Sequence, residues 1–178
     1  MPKACVKVQG MRWFVAALAF LMASGWITDA RAQEHEAEEG HHRPNALGVF
    51  FGAATHLATD EHEAETGFAI GIEYTRSLTD RLKAGALAEW ASTERSRDFV
   101  FLIPFLYRTV GELFLVVGPG IELVSGEHEE PAEVEFLARF GAVYEIELGR
   151  LVLGPQFNAD VAGGKWTLVY GTTVGVAF

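Results

Sequence analysis

The chain has 178 residues, enough for one domain, and is 49% hydrophobic with 19 Gly and 21% charged residues. That composition is too apolar for intrinsic disorder. The formal net charge of −10 argues against nucleic acid as a partner.

The first segment reads as a cleaved signal peptide, residues 1–32. Lys3, Lys7 and Arg12 make a positive start, and "WFVAALAFLMASGWI" (Trp13–Ile27) makes an apolar stretch. "ARA" (Ala30–Ala32) supplies the small residues that precede a cleavage site. The alternative is an uncleaved anchor, but the stretch is short for a span, and Asp29 and Arg31 end it. Met1 and Met11 both stand as starts. The single cysteine, Cys5, precedes the apolar stretch, so it is not a lipid-attachment residue. Without the four basic residues and one acid of residues 1–32, 10 Lys+Arg face 23 Asp+Glu, a net charge of about −13.

"QEHEAEEGHHRPN" (Gln33–Asn45) is polar, acidic and His-rich, and reads as a flexible leader. The remainder, residues 46–178, has eight stretches of period-2 character. They cover 46–57, 66–77, 81–91, 98–109, 112–124, 134–148, 151–161 and 165–178. The connections "LTDR", "VGE" and "GR" are tight. "ATDEHEAE", "STERSR" and "SGEHEEPAE" are longer and charged, while "AGGK" is short. Tight turns at one end and longer polar loops at the other predict an all-β fold: an eight-stranded antiparallel up-and-down transmembrane β-barrel. Stretches of roughly 10–13 residues suit a tilted bilayer crossing.

Periodicity alone does not say which face points outward, since a soluble eight-stranded barrel has its apolar face inside. The aromatic residues decide between them. Phe68, Trp90, Phe99, Phe136 and Trp166 lie at the expected outer ends of the apolar face, and Tyr74, Tyr107, Tyr144 and Phe178 at its inner ends. Two aromatic rings with aliphatic residues between them are the girdles of a membrane barrel. The opposite face carries Gly52, His56, Gly71, Glu73, Lys83, Glu89, Arg108, Gly118, Gly120, Glu122, Glu135, Arg139, Glu145, Gln156, Asn158 and Asp160. It is expected to line a filled lumen whose charge network includes Glu73, Lys83, Arg108, Glu122 and Arg139. Hairpin register puts Glu73, Lys83 and Arg108 on adjacent strands, where pairing is expected. Pro104, Pro119 and Pro155 interrupt three strands, so bulges are expected there, above all at Gly118–Gly120.

The ending "YGTTVGVAF", with its aromatic last residue, resembles the C-terminal signature of bacterial outer-membrane barrels. The whole of 46–178 resembles the small eight-stranded class typified by the transmembrane domain of outer membrane protein A. The resemblance implies a cell outer-membrane location, contact with outer-membrane lipid and lipopolysaccharide, and Phe178 as the signal read by the barrel-assembly machinery. The expected state is a monomer with no cofactor and a structural or surface-interaction role.

Two other functions stay open. "EHE" recurs at Glu34–Glu36, Glu61–Glu63 and Glu127–Glu129. Glu61, His62, Glu63, Glu127, His128 and Glu129, on two loops of one side, are candidate ligands for a divalent cation. Against this stands plain solvated acidic loop. A lipid-A-modifying enzyme needs a His–Ser pair oriented by a carboxylate. His56, Asp60, Ser92 and Ser96 lie near the expected outer rim, but neither local motif of the two barrel enzymes that modify lipid A is present. Deletion of Phe178 is expected to impair membrane assembly while leaving export to the periplasm intact, measured by cell fractionation.

Overall fold

The computed structural model describes residues 43–58, 63–93, 96–126 and 133–178. The expected signal peptide and the leader through His42 lie outside the described residues. Ten strand segments follow one another: β1 (Asn45–His56), β2 (Glu65–Ser77), β3 (Leu82–Ser92), β4 (Ser96–Leu102), β5 (Phe105–Val110), β6 (Leu113–Gly126), β7 (Glu133–Tyr144), β8 (Ile146–Leu148), β9 (Leu151–Ala162) and β10 (Lys165–Ala177). They form eight staves, because β4 and β5 continue one line, as do β7 and β8. Every pairing is antiparallel between neighbours in the chain, and β10 pairs with both β9 and β1. The sheet therefore closes into an up-and-down barrel with no free edge. Asn45 and Phe178 exchange two backbone hydrogen bonds, 3.1 and 2.8 Å, at the seam. Pro44 accepts from the Ser77 amide at 2.7 Å, so the leader's expected last residues belong to the barrel.

The turns explain themselves locally. Gly163 and Gly164 both have positive φ (55° and 79°) and make a two-residue hairpin between Ala162 and Lys165. A side chain would be strained at either position. Thr79 Oγ1 accepts from the Arg81 and Leu82 amides and shapes the β2–β3 turn.

The prolines behave differently from the expectation of bulges. Register runs unbroken past all three. Leu102 pairs with Gly120 and Phe105 with Val117, leaving two residues opposite two. Each proline lacks the donor for one ladder bond, and the carbonyls of Pro104 and Pro119 stay in use. Gly85 donates to Pro104 O at 2.9 Å, and Ile103 donates to Pro119 O at 3.0 Å. The breaks between β4 and β5, and between β7 and β8 opposite Pro155, are therefore missing donors rather than extra residues. The register shift that does occur lies at Arg108/Val110, beside the turn at Gly111.

Alternation sorts the side chains as expected. Outside, Leu47, Phe51, Ile72, Leu115, Val117, Phe140 and Val174 are exposed, with Ile72 at 61%. Phe68, Phe99, Phe136 and Trp166 are exposed toward one end, and Tyr107, Tyr144 and Phe178 toward the other. Trp90 and Tyr74 are half-buried. Inside, charge is only part of the filling. Phe50, Phe114, Leu87, Leu102 and Leu137 also point inward and are buried. Phe50 fits because Gly52 and Gly171 face each other across β1 and β10. A Cβ on Gly52 would lie 2.5 Å from Phe50 Cζ and 2.3 Å from the Tyr170 carbonyl. Gly52→Ala is expected to destabilise the barrel by about 1–3 kcal/mol, the range for overpacking, measured by urea-dependent folding into micelles.

Candidate functional site

The interior is organised in layers between the short-turn end and the long-loop end. Near the short turns, Lys83 pairs with Glu145 across the barrel. The Lys83 ammonium lies 4.6 Å, and the Arg108 guanidinium 5.0 Å, from the centre of the buried Phe114 ring, one cation-π arrangement shared by two cations. Arg108 reaches Glu112 at 3.4 Å. The expected grouping of Glu73, Lys83 and Arg108 is thus replaced by separate pairs. Glu73 accepts from Thr173 Oγ1 at 3.2 Å, at the end of a chain running from Asn158 through Gln156.

Above that layer, Arg139 fills the section. It is 2% exposed. Its Nε and Nη2 bond both oxygens of Asp160 at 2.7 and 2.6 Å, and its Nη1 and Nη2 bond both oxygens of Glu89 at 3.2 and 2.9 Å. Two bidentate carboxylates use four of the guanidinium's N–H donors in its planar fork. Glu89 comes from β3, Arg139 from β7 and Asp160 from β9, so the group spans the lumen. Leu87, Val100, Leu102 and Leu137 form a buried apolar cluster in the same interior.

The long-loop end opens into a pocket of ≈ 250 Å³. His56, Asp98, Glu122 and Glu135 line it from β1, β4, β6 and β7, with Lys165, Trp166, Glu63 and Glu65 around the rim. Asp98 is 1% exposed. Its Oδ2 lies 3.1 Å from His56 Nε2 and accepts from Ser96 Oγ at 3.1 Å. His56 Nδ1 lies 3.0 Å from Thr167 Oγ1. Glu122 stands directly opposite Glu135 in the β6–β7 ladder.

This arrangement restricts the chemistry available. Ser96 and His56 share one carboxylate oxygen instead of bonding each other. A serine nucleophile needs the imidazole within hydrogen-bond reach of its own oxygen, and here Asp98 stands between them. Ser92, the other serine of the expected rim, lies at the end of β3, and Asp60 is outside the described residues. Of the candidate cation ligands on the loops, Glu63 is exposed at the pocket rim. Glu61, His62, Glu127, His128 and Glu129 lie outside the described residues. Among the described residues no three His, Cys, Asp or Glu side chains gather closely enough to hold a metal ion.

Sequence reasoning missed Asp98 as an inward residue, although Phe99 beside it was assigned outward and alternation then turns Asp98 inward. Arg139→Met is expected to destabilise the barrel by about 3–5 kcal/mol, because Glu89 and Asp160 remain buried without a cation. Adding Glu89→Gln and Asp160→Asn should restore part of that loss, read from denaturant midpoints of the single and triple variants.

No protein-family model matches the chain, and no curated protein matches it. Solved structures do. Neisserial surface protein A (NspA) superposes with a TM-score of 0.57 at 11% identity, over 79% of this chain and 100% of that one. A de novo designed transmembrane β-barrel gives 0.48 at 14% identity, over 80% and 100%. Ail, the attachment invasion locus protein of Yersinia pestis, gives 0.47 at 13% identity, over 76% and 99%. The first likeness fixes the fold: a small, closed, eight-stranded antiparallel β-barrel, shared with NspA along that protein's whole length.

Proposed function

We propose that this protein is an outer-membrane β-barrel whose lumen is structural and whose long-loop end is its working surface. The observation that carries the reading is the inversion of the two faces. Isoleucine, leucine, valine and phenylalanine point out from a closed sheet, while Arg139, Glu89 and Asp160 are buried inside. Water-soluble chains rarely leave an apolar surface of that extent uncovered. Hydrocarbon covers it without cost, and the aromatic residues near both rims suit the two interfaces.

The ion-paired and apolar layers argue against a pore, since eight strands leave room for side chains and little else. The position of Asp98 between Ser96 and His56 argues against a lipid-modifying serine enzyme. That leaves binding or scaffolding, for which loops on a rigid barrel are suited. NspA bears the name of a surface protein. That name supports the reading by analogy of fold alone.

The test combines location and orientation. The protein should fractionate with the outer membrane and run faster on gels unheated than heated. Val117→Cys should resist water-soluble maleimide in intact membranes and react with a lipid-soluble one. Val117→Arg should cost about 2–4 kcal/mol if the residue lies near the bilayer midplane. Ready labelling of position 117 from water would refute the assignment of the faces.

A further inference from the structure

We propose that the rim takes up an extended peptide of alternating basic and apolar residues, as a strand added to β7 at Glu133–Phe136. This names a partner class for the long-loop end, and so rests on the reading of that end as the working surface.

The staves end at different heights around the rim. β9 and β10 join in the two-residue turn Gly163–Gly164, and the last pair between β9 and β7 is Ala162 with Leu137. β7 begins higher, at Glu133. Glu133, Val134, Glu135 and Phe136 pair on one side with β6, opposite Val124, Leu123, Glu122 and Ile121. On their other side, among the described residues, no strand pairs with them. The barrel is closed up to Leu137. Above it β7 is an edge strand, about 14 Å long at strand rise. The wall behind this edge is continuous, because β6 pairs with β4 as far as Gly126 opposite Ser96.

An edge of this kind has the parts that strand addition uses. Its main-chain N–H and C=O groups bind an extended chain of any sequence, and its side chains select among sequences. Val134 and Phe136 stand on the outer face, 64% and 70% exposed. Glu133 and Glu135 stand on the other face by alternation. Glu135 lines the ≈ 250 Å³ pocket together with Ala162, Lys165 and Trp166. Side chains on the inner face of an added strand therefore have that space to enter. The glycine turn keeps the notch beside the edge open. A Cβ on Gly164 would meet nothing within 4 Å, while one on Gly163 would lie 2.3 Å from Glu135 Oε2.

Charge decides which strand fits. Two glutamates on one face repel an acidic strand and blunt the edge toward purely apolar ones. A chain with Lys or Arg opposite Glu133 and Glu135 gains from opposite charges across the pair. Its alternate residues then lie beside Val134 and Phe136, where apolar side chains suit. Lys165 stands at the foot of the notch, since its ladder partner Ala162 pairs with Leu137. The basic residues belong above it, at the level of the glutamates.

The experiment uses the full chain refolded in zwitterionic detergent micelles. The probe is a dye-labelled, end-capped eight-residue peptide of alternating Lys and Val, followed by fluorescence anisotropy with empty micelles as the blank. Saturable binding of one peptide per barrel is expected. Two further peptides carry N-methyl groups on either the Lys or the Val amides. A strand paired along one side uses only one of these sets, so one methylated peptide should lose binding and the other keep it. The double variant Glu133→Lys/Glu135→Lys should bind the Lys–Val peptide at least about tenfold more weakly. It should gain binding to a Glu–Val peptide, with unchanged heat-modifiable mobility as the sign that it is folded. The proposal is overturned by absence of saturable binding, by equal effects of the two methylation sets, or by an unaltered charge preference in the double variant. A dimer of the refolded chain that the double variant abolishes would also overturn it, by giving the edge to a second copy. Protein that fractionates with the outer membrane yet binds no peptide would sink this proposal and leave the surface reading standing. Peptide binding by a chain found outside that membrane would do the reverse.

Discussion

Closing eight strands leaves an interior that holds one layer of side chains and no solvent column. Each strand residue then has two environments to choose from, and alternation assigns them without exception along a regular strand. Outward residues must suit whatever covers the barrel. Inward residues must fill a fixed volume and satisfy one another. The glycine pair Gly52 and Gly171 shows how tight that volume is, since the Phe50 ring occupies the space their side chains would need. Even the prolines obey the constraint. They surrender single donors to keep the register, because an inserted residue would turn the following side chains to the wrong face.

Satisfaction of charge changes along the axis. At the short-turn end one ammonium meets one carboxylate, with Phe114 between two cations. In the middle one guanidinium meets two carboxylates through four hydrogen bonds. At the mouth Glu122 stands opposite Glu135, while Asp98 pairs with His56. The first two layers close the lumen and hold staves on opposite sides together, since Lys83 and Glu89 sit on β3 while Glu145 and Arg139 belong to the β7–β8 stave. A buried pair of this kind is weak evidence for net stability, because desolvation offsets much of the attraction. Its clearer effect is to fix which staves face each other.

Much of this was legible in the chain. The eight stretches match the eight staves to within a few residues, because period-2 hydrophobicity and turn glycines are local signals. The face assignment followed from where the aromatics fall. Asp98, Phe50 and Phe114 were also readable by alternation, but their types misled. A lumen is expected to be polar, and phenylalanine as a type points to the outer face. Partners across the lumen were not readable. Hairpin register tells which residues are neighbours on the sheet, and it suggested Glu73 with Lys83 and Arg108. The pairs that form, Lys83 with Glu145 and Arg139 with Glu89, join strands far apart in order. Their meeting depends on strand tilt and stagger, which local pattern does not encode.

The mouth is where the sheet sets like charges opposite each other. Elsewhere each inward charge has an opposite charge or a hydrogen bond to receive it. Glu122 and Glu135 are like charges face to face, whereas single buried atoms without a partner occur at both levels, at Asp98 Oδ1 and at Asn158 Oδ1. A fold selected for stability alone would place an arginine or a pair of apolar residues there, as it does one layer below. Local violations of this kind in an otherwise consistent structure are where function is expected. The loops that carry the acidic repeats spring from the same rim. The mouth is therefore the end of the lumen at which the proposed surface role is best tested.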